Sequence, residues 1–288
     1  MTPSLRMLAL VAGLIVAGAV TADAQKVLPP KTTGVDLAPH RAVYDLKLSR
    51  SRGAGSVEGV RGRIVYDFSG NACAGYELKF RQVSELDSGS GKAMLSDLRA
   101  STWEDVQAKK FRFNSENRIN EKAVDTVDGN AERKSDAVAV TLKKPSGKSF
   151  KIGSGAVFPI EHMRKIIEAA REGKSVLEVV VYDGSETGEK LYDTLTVIGQ
   201  PIKPGERPAD DISGKTAGMA NQTRWPVTIS YFDRAAKGSP KGETMPAYSV
   251  GFELYENGVS RALKLDYNDF AISGEMTAIE MTPVKACP

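Results

Sequence analysis

Cysteine and histidine are scarce in this chain: among 288 residues there are only Cys73, Cys287, His40 and His162. With no Cys-x-x-Cys and no His-x-x-x-His pair, neither a dithiol redox motif nor a recognisable zinc site is present, and no metal or other cofactor is expected. Charge of one sign is lacking too, since 39 Lys and Arg face 36 Asp and Glu and are spread along the chain. A nucleic-acid surface needs basic residues gathered on one face, so that class of partner is set aside. No serine-hydrolase elbow of the form Gly-x-Ser-x-Gly occurs. Gly147-Lys148-Ser149 and Gly173-Lys174-Ser175 fail as phosphate loops because Leu142 and Glu168 stand where the first glycine is required, and Gly91-Lys92 fails likewise through Leu86.

Long apolar runs are nearly absent. The one exception, Met7 to Val20, follows Arg6 and precedes the small-x-small site Ala22-Asp23-Ala24. It is shorter than the roughly 20 residues that span a bilayer and has no basic stop-transfer flank. Residues 1–24 therefore read as a signal peptide cleaved after Ala24, with export to the periplasm and no transmembrane anchor. Residues 25–36 read as a flexible N-terminus, and 37–288 as a single domain.

Apolar and polar residues alternate through much of that domain. Tyr44, Leu46 and Leu48 are interleaved with Asp45 and Lys47; Tyr76, Leu78 and Phe80 with Glu77 and Lys79; Leu263, Leu265 and Tyr267 with Lys264 and Asp266. Period two marks strands with one wet face. Further strands are expected near 58–68, 92–104, 110–118, 120–127, 131–143, 175–183, 190–199, 225–233, 246–256 and 270–282, about a dozen in all. Asn257-Gly258 and Asp128-Gly129 signal tight turns, so neighbours should pair antiparallel. One helix is expected at about 158–172: Pro159 suits its first turn, Ile160, Met163, Ile167 and Ala170 share a face, and Gly173 suits its end. Residues 199–221, broken by Pro201, Pro204, Pro208 and Gly214, read as a long exposed loop. The fold class is thus mainly β, with one helix packed on a curved antiparallel sheet.

In an oxidising compartment the two cysteines should pair. Closing a loop of about 215 residues would contribute up to roughly 5 kcal/mol in the chain-entropy model. His162, in the first turn of the helix, and His40, at the start of the first strand, read as packed neutral imidazoles. Asp266 with Tyr267-Asn268-Asp269 reads as a strand end turning through Asn268 rather than a calcium loop.

Several strings resemble the periplasmic cell-envelope integrity proteins of Gram-negative bacteria called EipB: LAPHRAVYDLKL (37–48), NACAGYELKFRQ (71–82), FPIEHM (158–163), LYDTLTVIG (191–199), WPVTISYFD (225–233) and YENGVSRALKLDYNDF (255–270), followed by Cys287. Their order and the two-cysteine layout carry the resemblance. It implies a monomeric spiral, an open curved barrel of about fourteen antiparallel strands closed by a Cys73–Cys287 bridge. It also implies a stress-linked role in the envelope with no established reaction and no catalytic residues to transfer. Ala74 departs from the acidic residue that often follows the first cysteine in that family.

The expectation is a non-enzymatic periplasmic factor that binds an envelope partner, either a protein such as a periplasmic repeat protein or a lipid. An apolar groove between helix and sheet would be lined by Ile160, Met163, Ile167, Phe80, Phe113 and Phe252. The alternatives are a lipoprotein or lipid carrier with a LolA-like fold, or a periplasmic hydrolase using Glu161 or Asp269 with a solvent-reachable His162.

Overall fold

Strict alternation makes each strand amphipathic, and its apolar face must be covered by something. In the strand Arg224–Asp233, for example, Trp225, Val227 and Ile229 are buried while Pro226 and Thr228 between them are exposed. The computed structural model describes residues 34–52, 57–89, 93–207, 209–236, 245–284 and 287. The expected signal peptide, residues 1–24, lies outside the described residues, as does most of 25–36.

Fourteen strands and one α-helix follow in chain order: β1 (His40–Ser51), β2 (Gly59–Asn71), β3 (Gly75–Asp87), β4 (Ala93–Glu104), β5 (Lys110–Ile119), β6 (Lys122–Arg133), β7 (Ala137–Lys144), β8 (Lys148–Gly153), α1 (Pro159–Arg171), β9 (Val176–Val181), β10 (Tyr192–Ile198), β11 (Arg224–Asp233), β12 (Tyr248–Tyr255), β13 (Ser260–Asp266) and β14 (Phe270–Met281). All lie in one antiparallel sheet ordered β8-β7-β6-β5-β4-β3-β2-β1-β14-β13-β12-β11-β10-β9. Two meanders, β1–β8 and β9–β14, are joined side by side through the long β1–β14 ladder. Among the described residues no ladder joins β8 to β9, so the curved sheet stays open. The chain crosses from one to the other through α1, and Val157, just ahead of the helix, bridges in parallel to Val181.

The inner face divides into three apolar clusters. One surrounds α1, joining Ile160, Ile166 and Ile167 to Phe68, Trp225, Val227, Phe252 and Leu254. A second gathers Phe111, Phe113, Val138, Val140, Leu142, Phe158 and Tyr182. The third lies where β1 and β2 meet β13 and β14, around Tyr44, Leu46, Ile64 and Met276. Residues 35–288 form one compact unit. Within it no described helix is long and apolar enough to cross a membrane.

Cys73 is bonded to Cys287 with 5.8 Å between their Cα atoms, across a sequence separation of 214 residues. The link ties the segment after β14 to the β2–β3 turn. That turn is shaped by Asn71, whose Oδ1 accepts from the amides of Cys73 and Ala74 at 2.9 and 2.8 Å.

Several sequence expectations are corrected. The predicted strand 131–143 is two strands with a turn at 134–136, which contains neither glycine nor proline and so gave no signal. Asp128-Gly129 is no turn but lies inside β6, opposite a bulge that leaves Lys143 of β7 unpaired in the register, with Asp128 opposite Lys144 and Gly129 opposite Leu142. A Cβ on Gly129 would meet Phe113 at 2.6 Å and Leu142 at 2.8 Å, so the glycine serves packing. The true turn is Asn120-Glu121, both at positive φ (47° and 68°), as a two-residue hairpin of the primed type requires. Strand β8 was not anticipated, because its burial is nearly confined to Ile152. Val35, placed in the flexible segment, is buried in the α1 cluster.

The loop 199–221 is exposed along its crest but not free. Ile202 bridges to Arg224, and Asp211, Ser213 and Met219 are buried. Arg261 donates to Asp211 at 2.9 Å and to Glu253 at 2.6 Å, and also pairs with Asp210. Polar bonds rather than an apolar period hold this segment, so periodicity did not reveal its packing.

Candidate functional site

The helix is held at its N-terminus by a carboxylate from the sheet. Phe158 occupies the N-cap and provides no side-chain cap, leaving the first amides to find partners elsewhere. Glu104, the last residue of β4, supplies them: Oε2 accepts from Ile160 N and Oε1 from Glu161 N, both at 2.8 Å. Burial pushes the Glu104 carboxyl up to about 8, against the pull of those two N–H bonds. Arg133 braces the same end, donating to Ala108 O at 2.9 Å, Ser154 O at 2.6 Å and Glu161 Oε2 at 2.7 Å. Gly173, at φ +74°, ends the helix with its amide 3.1 Å from Ala170 O.

Between α1 and the sheet lies a cavity of about 230 Å³. Ile160, Met163 and Ile166 of the helix face Ile229, Val250 and Phe252 of β11 and β12 across it, and Leu37, Phe68 and Leu78 extend its apolar wall. Its polar members are His40, Thr102, His162 and Asp183, together with the phenols of Tyr66 and Tyr231. No lysine or arginine is among the residues that line it.

The imidazoles are buried and neutral. His162 is 4% exposed, burial depresses its pKa to about 4, and its Nε2 has no hydrogen-bond partner among the described residues. Burial likewise lowers His40, opposed by the Ala38 carbonyl 2.8 Å from its Nδ1 and by Asp67. Its ring stacks on Tyr66 with 5.5 Å between centroids. Asp183, just beyond β9, is raised by burial, while Ser185 N donates to its Oδ1 at 2.9 Å. Tyr66 is pushed up to about 12 by burial, so its phenol carries no charge at neutral pH.

Of the six residues expected to line a groove, three meet at this cavity: Ile160, Met163 and Phe252. Ile167 is fully buried beneath the helix in the same cluster. Phe113 sits in the second cluster, 5.2 Å from Phe111 and 5.8 Å from Tyr182 between ring centroids, and Phe80 packs beside the third. Period two tells which side chains turn inward; where along the curved sheet each lands depends on curvature, which it does not encode. The hydrolase arrangement is not formed. His162 is not solvent-reachable, Glu161 is paired with Arg133 and Lys165, and Asp269 lies in the β13–β14 turn with its carbonyl accepting from Arg52 N.

Glu104, Asp183, Tyr66 and Tyr231 were missed. Glu104 and Asp183 each stand at or just beyond the end of a strand, where a charged residue reads as the return to solvent.

An open, barrel-like antiparallel sheet wrapped on a single helix, with an apolar cavity beneath that helix, defines the architectural class. The chain belongs to the EipB-like family, whose model matches residues 31–283. The cell envelope integrity protein EipB of Brucella abortus (strain 2308) is 33% identical over 250 residues, covering 86% of each chain. The crystal structure of a beta-barrel-like protein of domain of unknown function DUF1849 from Brucella abortus is similar with a TM-score of 0.78 at 32% identity, covering 86% of this chain and 100% of that one.

Proposed function

We propose that this chain is a non-enzymatic periplasmic factor for cell-envelope integrity that works by binding, with a single acyl chain as the ligand of the cavity beneath α1. The envelope role follows the name carried by the Brucella relative, and export follows the N-terminal pattern of residues 1–24. One observation carries the binding: the wall formed by Ile160, Met163, Ile166, Ile229, Val250 and Phe252 encloses space instead of closing on itself. Well-packed interiors hold few voids larger than a water molecule. A cavity of about 230 Å³ equals seven or eight waters at roughly 30 Å³ each. It lies below the roughly 300 Å³ at which drug-sized pockets begin, so it suits one short alkyl segment rather than a whole lipid. Each methylene transferred from water adds about 0.8 kcal/mol.

Protein purified from its native compartment under non-denaturing conditions and examined by native mass spectrometry should carry a substoichiometric acyl-bearing mass that is released on extraction with organic solvent. If neither copurifying nor exchangeable acyl ligand is found, lipid binding is lost and the envelope role rests on a protein partner.

A further inference from the structure

Resting on the cavity reading above, we propose that its ligand is an acyl-bearing amphiphile with an ammonium head group, with Asp183 as the counter-charge and the rings of Tyr66 and Tyr231 as neighbours of the cation. The lining decides the sign. Among its members Asp183 is the one carboxyl, raised by burial and so short of a positive partner: no Lys or Arg is present, and His162 and His40 are held neutral by burial. The helix N-terminus, which would otherwise attract an anion, is already occupied, because the Ile160 and Glu161 amides are taken by Glu104. A carboxylate or phosphate head would therefore lose its hydration and find no cation to replace it.

An ammonium head finds the opposite. A buried carboxylate is raised when it stands alone and lowered by a nearby positive charge, so a bound cation and the ionised Asp183 favour each other. Aromatic faces add to this, since ring quadrupoles attract cations within about 6 Å. Tyr231 belongs to a cluster of three tyrosines, stacked on Tyr248 at 4.6 Å and edge-on to Tyr192 at 5.8 Å between centroids. Burial raises Tyr231 and Tyr248, so these phenols stay neutral as well.

Isothermal titration calorimetry on the whole folded chain, with octyltrimethylammonium and octanoate as probes of equal chain length, tests the assignment. Octyltrimethylammonium should bind one to one and at least about tenfold more tightly than octanoate, the scale of one desolvated cation–π contact. Tetramethylammonium, which has the head without the chain, should bind far more weakly; equal affinity would point to a free small cation and overturn the amphiphile. Asp183→Asn should bring the two octyl probes to similar affinity. An octanoate that matches the ammonium probe sinks the head-group assignment while leaving the cavity reading standing, and binding of neither probe sinks both. The wild-type comparison decides the matter even if Asp183→Asn does not fold.

Discussion

The Glu104 carboxylate accepts the Ile160 amide at 2.8 Å, and with the Glu161 amide on its other oxygen it fixes the start of α1 to the end of β4. Replacing it with alanine would leave two amides buried without partners, at about 1–3 kcal/mol each. Glu104→Ala should lose about 2–6 kcal/mol of stability in urea denaturation, and Glu104→Gln, which keeps one acceptor, should lose less. Because the folded pKa is raised, to about 8 from 4.5, the native state holds the proton more tightly than the unfolded chain. The contribution is full below pH 4.5 and is lost as pH rises through about 8. The difference in stability between wild type and Glu104→Gln should shrink across that window; a constant difference would rule out this titration.

His162 acts in the opposite sense. Its pKa falls from 6.5 to about 4 on folding, so the unfolded chain takes up the proton first. Stability is present above pH 6.5 and is lost as pH drops towards 4, by up to about 3 kcal/mol for this one group. His162→Gln should flatten the acid limb of urea midpoints measured between pH 4 and 7. An unchanged acid limb would show that other groups dominate.

Reduction of Cys73–Cys287 should lower the melting temperature without unfolding the protein at 25 °C. Loss of a bridge that closes a loop this long amounts to about 2–5 kcal/mol. Paired thermal scans with and without a phosphine reductant, alongside Cys73→Ser with Cys287→Ser, measure it. Probe binding in the cavity should survive reduction at low temperature, because neither cysteine lines it.

Arg261, its side chain 7% exposed, serves Asp211, Glu253 and Asp210 at once. Arg261→Ala leaves the buried Asp211 without its cation, while Glu253 keeps Arg224 and Arg207; breaking one buried pair typically costs about 3–5 kcal/mol. Limited proteolysis should then cut within 203–219 well before wild type is touched. If the cleavage pattern stays the same, the ion cluster is not what pins this loop.

The strands and the helix were legible because their chemistry is local. Alternation around Tyr44, Tyr76 and Trp225 shows one buried face, and Pro159 with Gly173 brackets the helix. The turn at 134–136 was hidden because Lys134, Ser135 and Asp136 include neither glycine nor proline, although the buried positions switch from odd at Val127 and Ala131 to even at Val138 and Val140. The cavity was half legible. Its helix face and Phe252 follow from periodicity, but that Asp183 lines the same cavity as His162 is a relation across elements that no window of sequence contains. The same holds for Glu104, whose partners lie 56 and 57 residues away.

Strands β1 and β14 lie in the interior of the sheet, while its two rim strands, β8 and β9, flank the helix in mid-sequence, with β9 bridged at Val181 to Val157. Parting those rims to admit a guest would disturb neither the β1–β14 ladder nor the sulfur link that fastens the tail. On the proposed ligand reading, entry at the rims and the anchoring of the chain's outermost strands are mechanically independent, and a fusion carried at the C-terminal end should leave probe-binding kinetics untouched.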